Sequence, residues 1–127
     1  MIRALIATGC LIGMVVPASA ADWPQFLGPN RDNSSPERVA AWTEAPQVLW
    51  RQPVGDAHSS PVVADGKVFA FYQPRGKNAD ALAAFDAGTG KKLWESQYER
   101  AAFTPPFGTG PRGTPTVAGD TIFTVGS

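Results

Sequence analysis

The chain has 127 residues, with eleven Lys and Arg against eleven Asp and Glu, one His, one Cys and 43% hydrophobic residues. This length allows one domain at most, and the even charge balance excludes the basic footprint of a nucleic-acid binder. With Cys10 the sole cysteine, an intrachain disulfide is excluded as well.

Residues 1–20 carry Arg3, an apolar run from Ala4 to Val16, then Pro17, Ala18, Ser19 and Ala20. That order predicts an export signal cleaved after Ala20. The run is too short for a membrane anchor, which needs roughly 20 apolar residues. Cys10 falls inside the removed segment, so the mature chain has no thiolate ligand. A leading segment follows at 21–46. Within it Asn30 to Asn33, "NRDN", offers oxygen ligands without calcium-loop spacing and reads as a turn. Ser35-Pro36-Glu37 reads as the start of a short helix capped by Ser35.

From residue 47 the pattern becomes β. "QVLWRQPV", 47–54, reads as one strand, and four more are expected at 60–64, 67–72, 81–86 and 91–98. A further pair begins at 114. "SPVVADGKVFAF" from Ser60 lies on "TPTVAGDTIFTV" from Thr114 without a gap, at a constant offset of 54 residues. Asp65-Gly66 in one copy and Gly119-Asp120 in the other are favoured two-residue hairpin turns. Trp50 and Trp94 recur 44 positions apart. A repeat of roughly 40 to 50 residues with four strands per unit is the size of a propeller blade. The expected fold is therefore all-β, built of four-stranded antiparallel blades. Residues 47–54 give the outer strand of a preceding blade, 60–98 one full blade, and 114–127 the start of the next. On this reading the chain is a fragment of a longer propeller, since radial closure takes about four to eight blades.

"AFDAGTGKKLW", 84–94, joins the third and fourth strands. Asp86 and Thr89 can hydrogen-bond the turn backbone, Gly90 can take a positive φ, and Trp94 can pack its ring on a neighbouring blade. Ala84, Asp86, Thr89, Gly90 and Trp94 fill every fixed position of the AxDxxTGxxxW tryptophan-docking pattern. In these residues the chain resembles the pyrroloquinoline quinone-like, or quinoprotein alcohol dehydrogenase-like, β-propeller repeat family. "DWPQFLGPNRDNSSPE" and "GPRGTPTVAGD" resemble the N-terminal segment and next blade of secreted bacterial members, so the resemblance implies an N-terminal fragment of such a protein. The family includes dehydrogenases that bind the quinone with calcium and non-enzymatic scaffolds such as the outer-membrane assembly propeller lipoprotein. Fold does not choose between them.

Strand alternation places the 65–66 and 87–90 turns at one end of the blade and the 73–80 loop at the other, with the connections between blades. Those connections lengthen, from eleven positions between Trp50 and Pro61 to 21 between Trp94 and Pro115. Loops that grow on one face of a repeat array are commonly the binding loops. "GTGPRG", 108–113, lacks the Lys-Ser/Thr close and following helix of a phosphate loop. At the starts of the repeated first strands, His58 aligns with Arg112 and Ser60 with Thr114. Arg112 is the candidate for an anionic group, His58 for a donor or acid/base, and Ser60 and Thr114 for hydroxyl contacts.

The leading expectation is a periplasmic, secreted or cell-surface binding or scaffolding module whose partners are other envelope proteins or a small-molecule ligand. It has no transmembrane span after signal removal and no metal site. The alternative is a quinone-dependent dehydrogenase oxidising an alcohol or sugar, in which pyrroloquinoline quinone and calcium come with the resemblance. No calcium-ligand cluster, catalytic Asp or haem-attaching CxxCH is present to support it.

Overall fold

The computed structural model describes residues 21–38, 40–102 and 106–126, and the expected export signal lies outside them. Strands β1 (Val62–Ala64), β2 (Lys67–Tyr72), β3 (Ala79–Asp86) and β4 (Lys92–Glu99) form one antiparallel sheet in chain order. Strands β5 (Thr116–Ala118) and β6 (Thr121–Phe123) form a second, two-stranded sheet. The fold is all-β, and the two antiparallel sheets are consistent with partial propeller blades.

The turns follow from their residues. Asp65 and Gly66 both take positive φ, 50° and 66°, as a primed hairpin turn between right-twisted strands requires. In the second hairpin Gly119 takes φ 56°. β1 begins two residues later than expected, because Pro61 has no N–H and the Ser60 N–H is committed to the Thr114 hydroxyl at 3.2 Å. β3 begins two residues earlier, because Ala79 and Asp80 pair with Glu99 and Tyr98. A bulge opposite Ala84 and Phe85 leaves Leu93 as the extra residue of β4.

β3 is buried on both faces, which accounts for its alanines. Ala81, Ala83 and Phe85 pack with Tyr72, Val68 and Ala70 on one side. Ala84 packs with Val62, Ala64, Phe69 and Leu82 on the other, where Val117 and Ile122 of β5 and β6 close the layer. Side chains alternate across a strand, so a central strand covered twice cannot carry large groups at every position. β4 is the outer edge and is exposed along most of its length. Its Lys92, Glu95, Gln97 and Glu99 are the charged and polar groups that keep an edge strand from pairing with foreign chains.

One contact ties this edge to the interior. The Tyr72 hydroxyl donates to Glu95 Oε2 at 3.0 Å, and Lys92 Nζ lies 2.6 Å from the same oxygen. Bonds from Lys92, then Gln97, then Tyr72 hold the Glu95 carboxyl down to about 2. Burial, then the bond to Glu95, pushes the Tyr72 phenol up to about 12. A depressed carboxylate stabilises the fold above its ordinary value of 4.5 and loses that contribution as pH falls toward 2. A raised phenol stabilises below its ordinary value of 10.0 and loses it as pH rises toward 12. Denaturant midpoints should therefore fall on both limbs. Tyr72→Phe should shrink the alkaline limb, leaving the part due to Tyr98, whose phenol is also raised by burial and by Asp80, while keeping most of the acid limb. An unchanged alkaline limb in Tyr72→Phe would place its cause elsewhere.

Residues 47–54 form no ladder among the described residues. As the outer strand of a preceding blade this segment would need the third strand of that blade as its partner, and none of the described strands pairs with it. Asp56 and Gln73 form an isolated antiparallel bridge instead. The leading segment bridges Trp23 to Val63, and a tight turn at 25–34 follows. Asp32 Oδ1 accepts from the Ser34 N–H and hydroxyl, at 2.9 and 2.6 Å, so "NRDN" is the expected turn. The expected helix at Ser35-Pro36-Glu37 does not form. Asn33 sits at φ 64° just before it, and Ser35 Oγ accepts from the Glu37 N–H at 3.2 Å in a local turn that competes with helix. The Glu37 carboxylate instead accepts from the Ala21 N–H and closes the leading segment on itself.

Candidate functional site

The two short turns of the blade stand together at one end, where the Ala87 N–H donates to Gly66 O at 2.9 Å. The 73–78 loop and the connection after β4 stand at the other end, joined by Arg100 N–H to Asn78 O at 3.0 Å. The connection is then clipped down at several points. The Gly110 N–H donates to Gln73 Oε1 at 3.1 Å, and Thr109 Oγ1 to Asp56 Oδ2 at 2.9 Å. Pro111 O accepts from the His58 and Ser59 N–H groups at 3.0 and 3.1 Å. Gly110 is required here, since its φ is 99° and a Cβ would lie 2.2 Å from Asp56 O.

Beneath these clips lies a buried polar network. Asp80 is 0% and Arg100 8% exposed at the side chain, and Arg100 Nε donates to Asp80 Oδ1 at 3.1 Å. The Tyr98 hydroxyl reaches Asp80 Oδ2 at 3.3 Å, and Arg100 Nη2 donates to Gln73 Oε1 at 2.7 Å. Gln73 Nε2 in turn donates to Lys77 O at 2.7 Å. One amide side chain thus links the ion pair below to the connection above. A buried ion pair holds only when its remaining donors and acceptors find partners, as they do here.

The residues expected from the sequence as a ligand mouth are brought to this end in two pairs. His58 and Arg112 converge on Gly108. The imidazole lies over it, with Nε2 3.3 Å from where a Cβ would stand, and Arg112 Nη2 donates to Gly108 O at 3.3 Å. Ser60 and Thr114 meet through the Ser60 N–H and the Thr114 hydroxyl. His58, Asp56 and Thr109 line an open cleft of about 440 Å³ with Gly55, Ala57 and Gly108. The arrangement offers a carboxylate already held by Thr109, an imidazole and, at the rim, a guanidinium. These groups can orient a polar partner by hydrogen bonds.

Sequence reasoning missed Asp56, Gln73, Asp80, Arg100 and Thr109. Asp80 alone carried a signal, an acid at the head of the otherwise apolar run "ADALAAF".

The 84–94 stretch divides between two contacts. Asp86 Oδ1 accepts from the Thr89 N–H at 2.8 Å and from its hydroxyl at 2.6 Å, bonds that hold the carboxyl below its ordinary value. The Gly90 N–H donates to Asp86 O at 2.8 Å, with Gly90 at φ 71°. The tryptophan received by this turn is Trp50, whose indole N–H donates to Ala87 O at 2.9 Å and whose ring covers Gly90. Ala84 is fully buried and registers with Trp94. Trp94 faces the following hairpin, 6.0 Å from the Phe69 ring at an interplanar angle of 49°. It lines a cleft of about 260 Å³ with Val117 and Ile122 and stays 39% exposed.

Residues 32–127, more than half of the chain, match the sequence profile described as outer membrane protein assembly factor BamB. No curated protein and no solved structure matches the chain.

Proposed function

We propose that this chain, which belongs to the outer membrane protein assembly factor BamB family, is an exported β-propeller repeat module that binds or scaffolds other envelope proteins. It comes from a secreted bacterial protein whose further blades close the propeller. Its working end is the one that carries the long connection. The observation that supports this most is the clipping of residues 109 and 110 onto Asp56 and Gln73, the latter held in turn by Arg100 of the buried Asp80–Arg100 pair. A loop held from beneath presents its outward groups in a fixed arrangement, which lowers the ordering cost of binding. Those groups are Phe107, 81% exposed, and the exposed His58 and Arg112.

Among the described residues no three His, Cys, Asp or Glu side chains gather as a metal-ligand group. Among the described residues, Asp56 is the one carboxylate that lines the cleft. The dehydrogenase reading, which needs oxygen ligands for the calcium that accompanies pyrroloquinoline quinone, rests on the family resemblance and not on this cleft. Also among the described residues, no helix is long and apolar enough to cross a membrane.

The test uses the whole exported protein. With a photo-crosslinker at position 107, a discrete envelope protein should be captured, and Arg112→Ala or Gln73→Ala should reduce its yield about tenfold, the loss of one good polar anchor. Capture unaffected by both substitutions would reject this end as the binding face. Turnover of an artificial electron acceptor with pyrroloquinoline quinone, calcium and an alcohol or sugar would reject the scaffold reading in favour of a dehydrogenase.

A further inference from the structure

The leading segment does more than precede the sheets. The Trp23 N–H donates to Val63 O at 2.8 Å, and the Val63 N–H returns a bond to Trp23 O at 3.0 Å. One residue further, Pro24 O accepts from the Val117 N–H at 2.8 Å. Val63 is the middle residue of β1 and Val117 the middle residue of β5. Both strands turn their other edge to their own hairpin partners, β2 and β6. Two separate sheets thus present free first-strand edges side by side, and residues 23 and 24 span both. The Trp23 ring is fixed from behind by Gly28, where a Cβ would lie 2.7 Å from Cη2 at a φ of 79°.

We propose that the paired edges of β1 and β5 form one strand-accepting groove, and that the chain fills it with its own residues 22–24 as a strap that clips two consecutive blades together. The groove recognises an extended segment by main-chain bonds, as in β-strand addition. Specificity comes from the Trp-Pro pair. Proline has no N–H to leave unbonded, so its carbonyl can serve β5 without orphaning a donor. The ring locks against Gly28 and sets the register. Without the strap both edges expose unpaired donors and acceptors. The proposal is independent of whether the module scaffolds or catalyses.

Two measurements test it on the whole exported protein. In the first, residues 21–34 are deleted and a synthetic peptide of the same residues is added in trans. Saturable binding to the deleted protein and none to the intact chain is expected. Equal binding to both, or none to a deleted protein that is folded, overturns the groove.

The second serves if the deletion does not fold, and uses Trp23→Ala in the intact chain. The Val63 and Val117 amides should exchange with solvent on the order of tenfold faster, as expected when a supporting hydrogen bond is loosened. The β3 amides should keep their protection. Unchanged rates at both valines, or equal acceleration throughout β3, would show that residues 22–24 are not a separable ligand of these edges.

Discussion

Replacing Arg100 with alanine is expected to destabilise the blade by about 3–5 kcal/mol, the cost of stripping one partner from a buried ion pair. Asp80 is fully buried. The Tyr98 hydroxyl at 3.3 Å is a weak substitute for a guanidinium. Gln73 loses the Arg100 Nη2 bond at the same time. The double variant Asp80→Leu with Arg100→Met should recover much of the loss, since exchanging a buried pair for apolar groups of similar size is often neutral.

Recovery of stability should not restore the loop. Without the Arg100 guanidinium to orient it, the Gln73 amide can turn away from Gly110. The connection over 106–113 should then become more sensitive to limited proteolysis even where the urea midpoint is normal. If the double variant is stable and its connection is as resistant as the parent's, the network serves stability alone. The presentation role proposed for it would then fall.

How far the sequence foretold this arrangement depends on the range of the interaction. Asp65-Gly66 and Gly119-Asp120 determine their hairpins through backbone conformations that only a few residues accept, so their position could be read directly. The 54-residue offset aligned His58 with Arg112 and Ser60 with Thr114, and both pairs meet at one end. The partners of Asp80 were not legible. Arg100 and Gln73 lie on different elements, and a buried acid can be satisfied by any of several cations or donors. The strap was not legible either, because main-chain pairing leaves almost no mark on side-chain choice. The identity of the docked tryptophan was hidden for a related reason. Spacing shows that Trp50 and Trp94 are equivalent, but only the fold shows that the 86–90 turn receives the earlier one.

That contact carries the second large effect. Gly90→Ala is expected to cost about 3 kcal/mol, in two separable parts. An alanine at φ 71° is strained by about 1–2 kcal/mol. Its Cβ would also stand 2.5 Å from Trp50 Cδ2. The backbone of the turn is held by the Asp86 and Thr89 bonds and cannot yield easily. The indole must therefore move, and its bond to Ala87 O is lost or lengthened. Trp50→Ala alone should cost about 2–3 kcal/mol, below the range for a fully buried tryptophan because the ring is only partly covered.

In the double variant the clash disappears and only the strain of the left-handed backbone remains beside the missing ring. The two losses should then fall short of additivity by about 1–2 kcal/mol, as for side chains in direct contact. Full additivity would mean that Trp50 does not rest on Gly90 in solution. The clasp between the 47–54 segment and the blade would then have to be sought in the Asp56–Gln73 bridge.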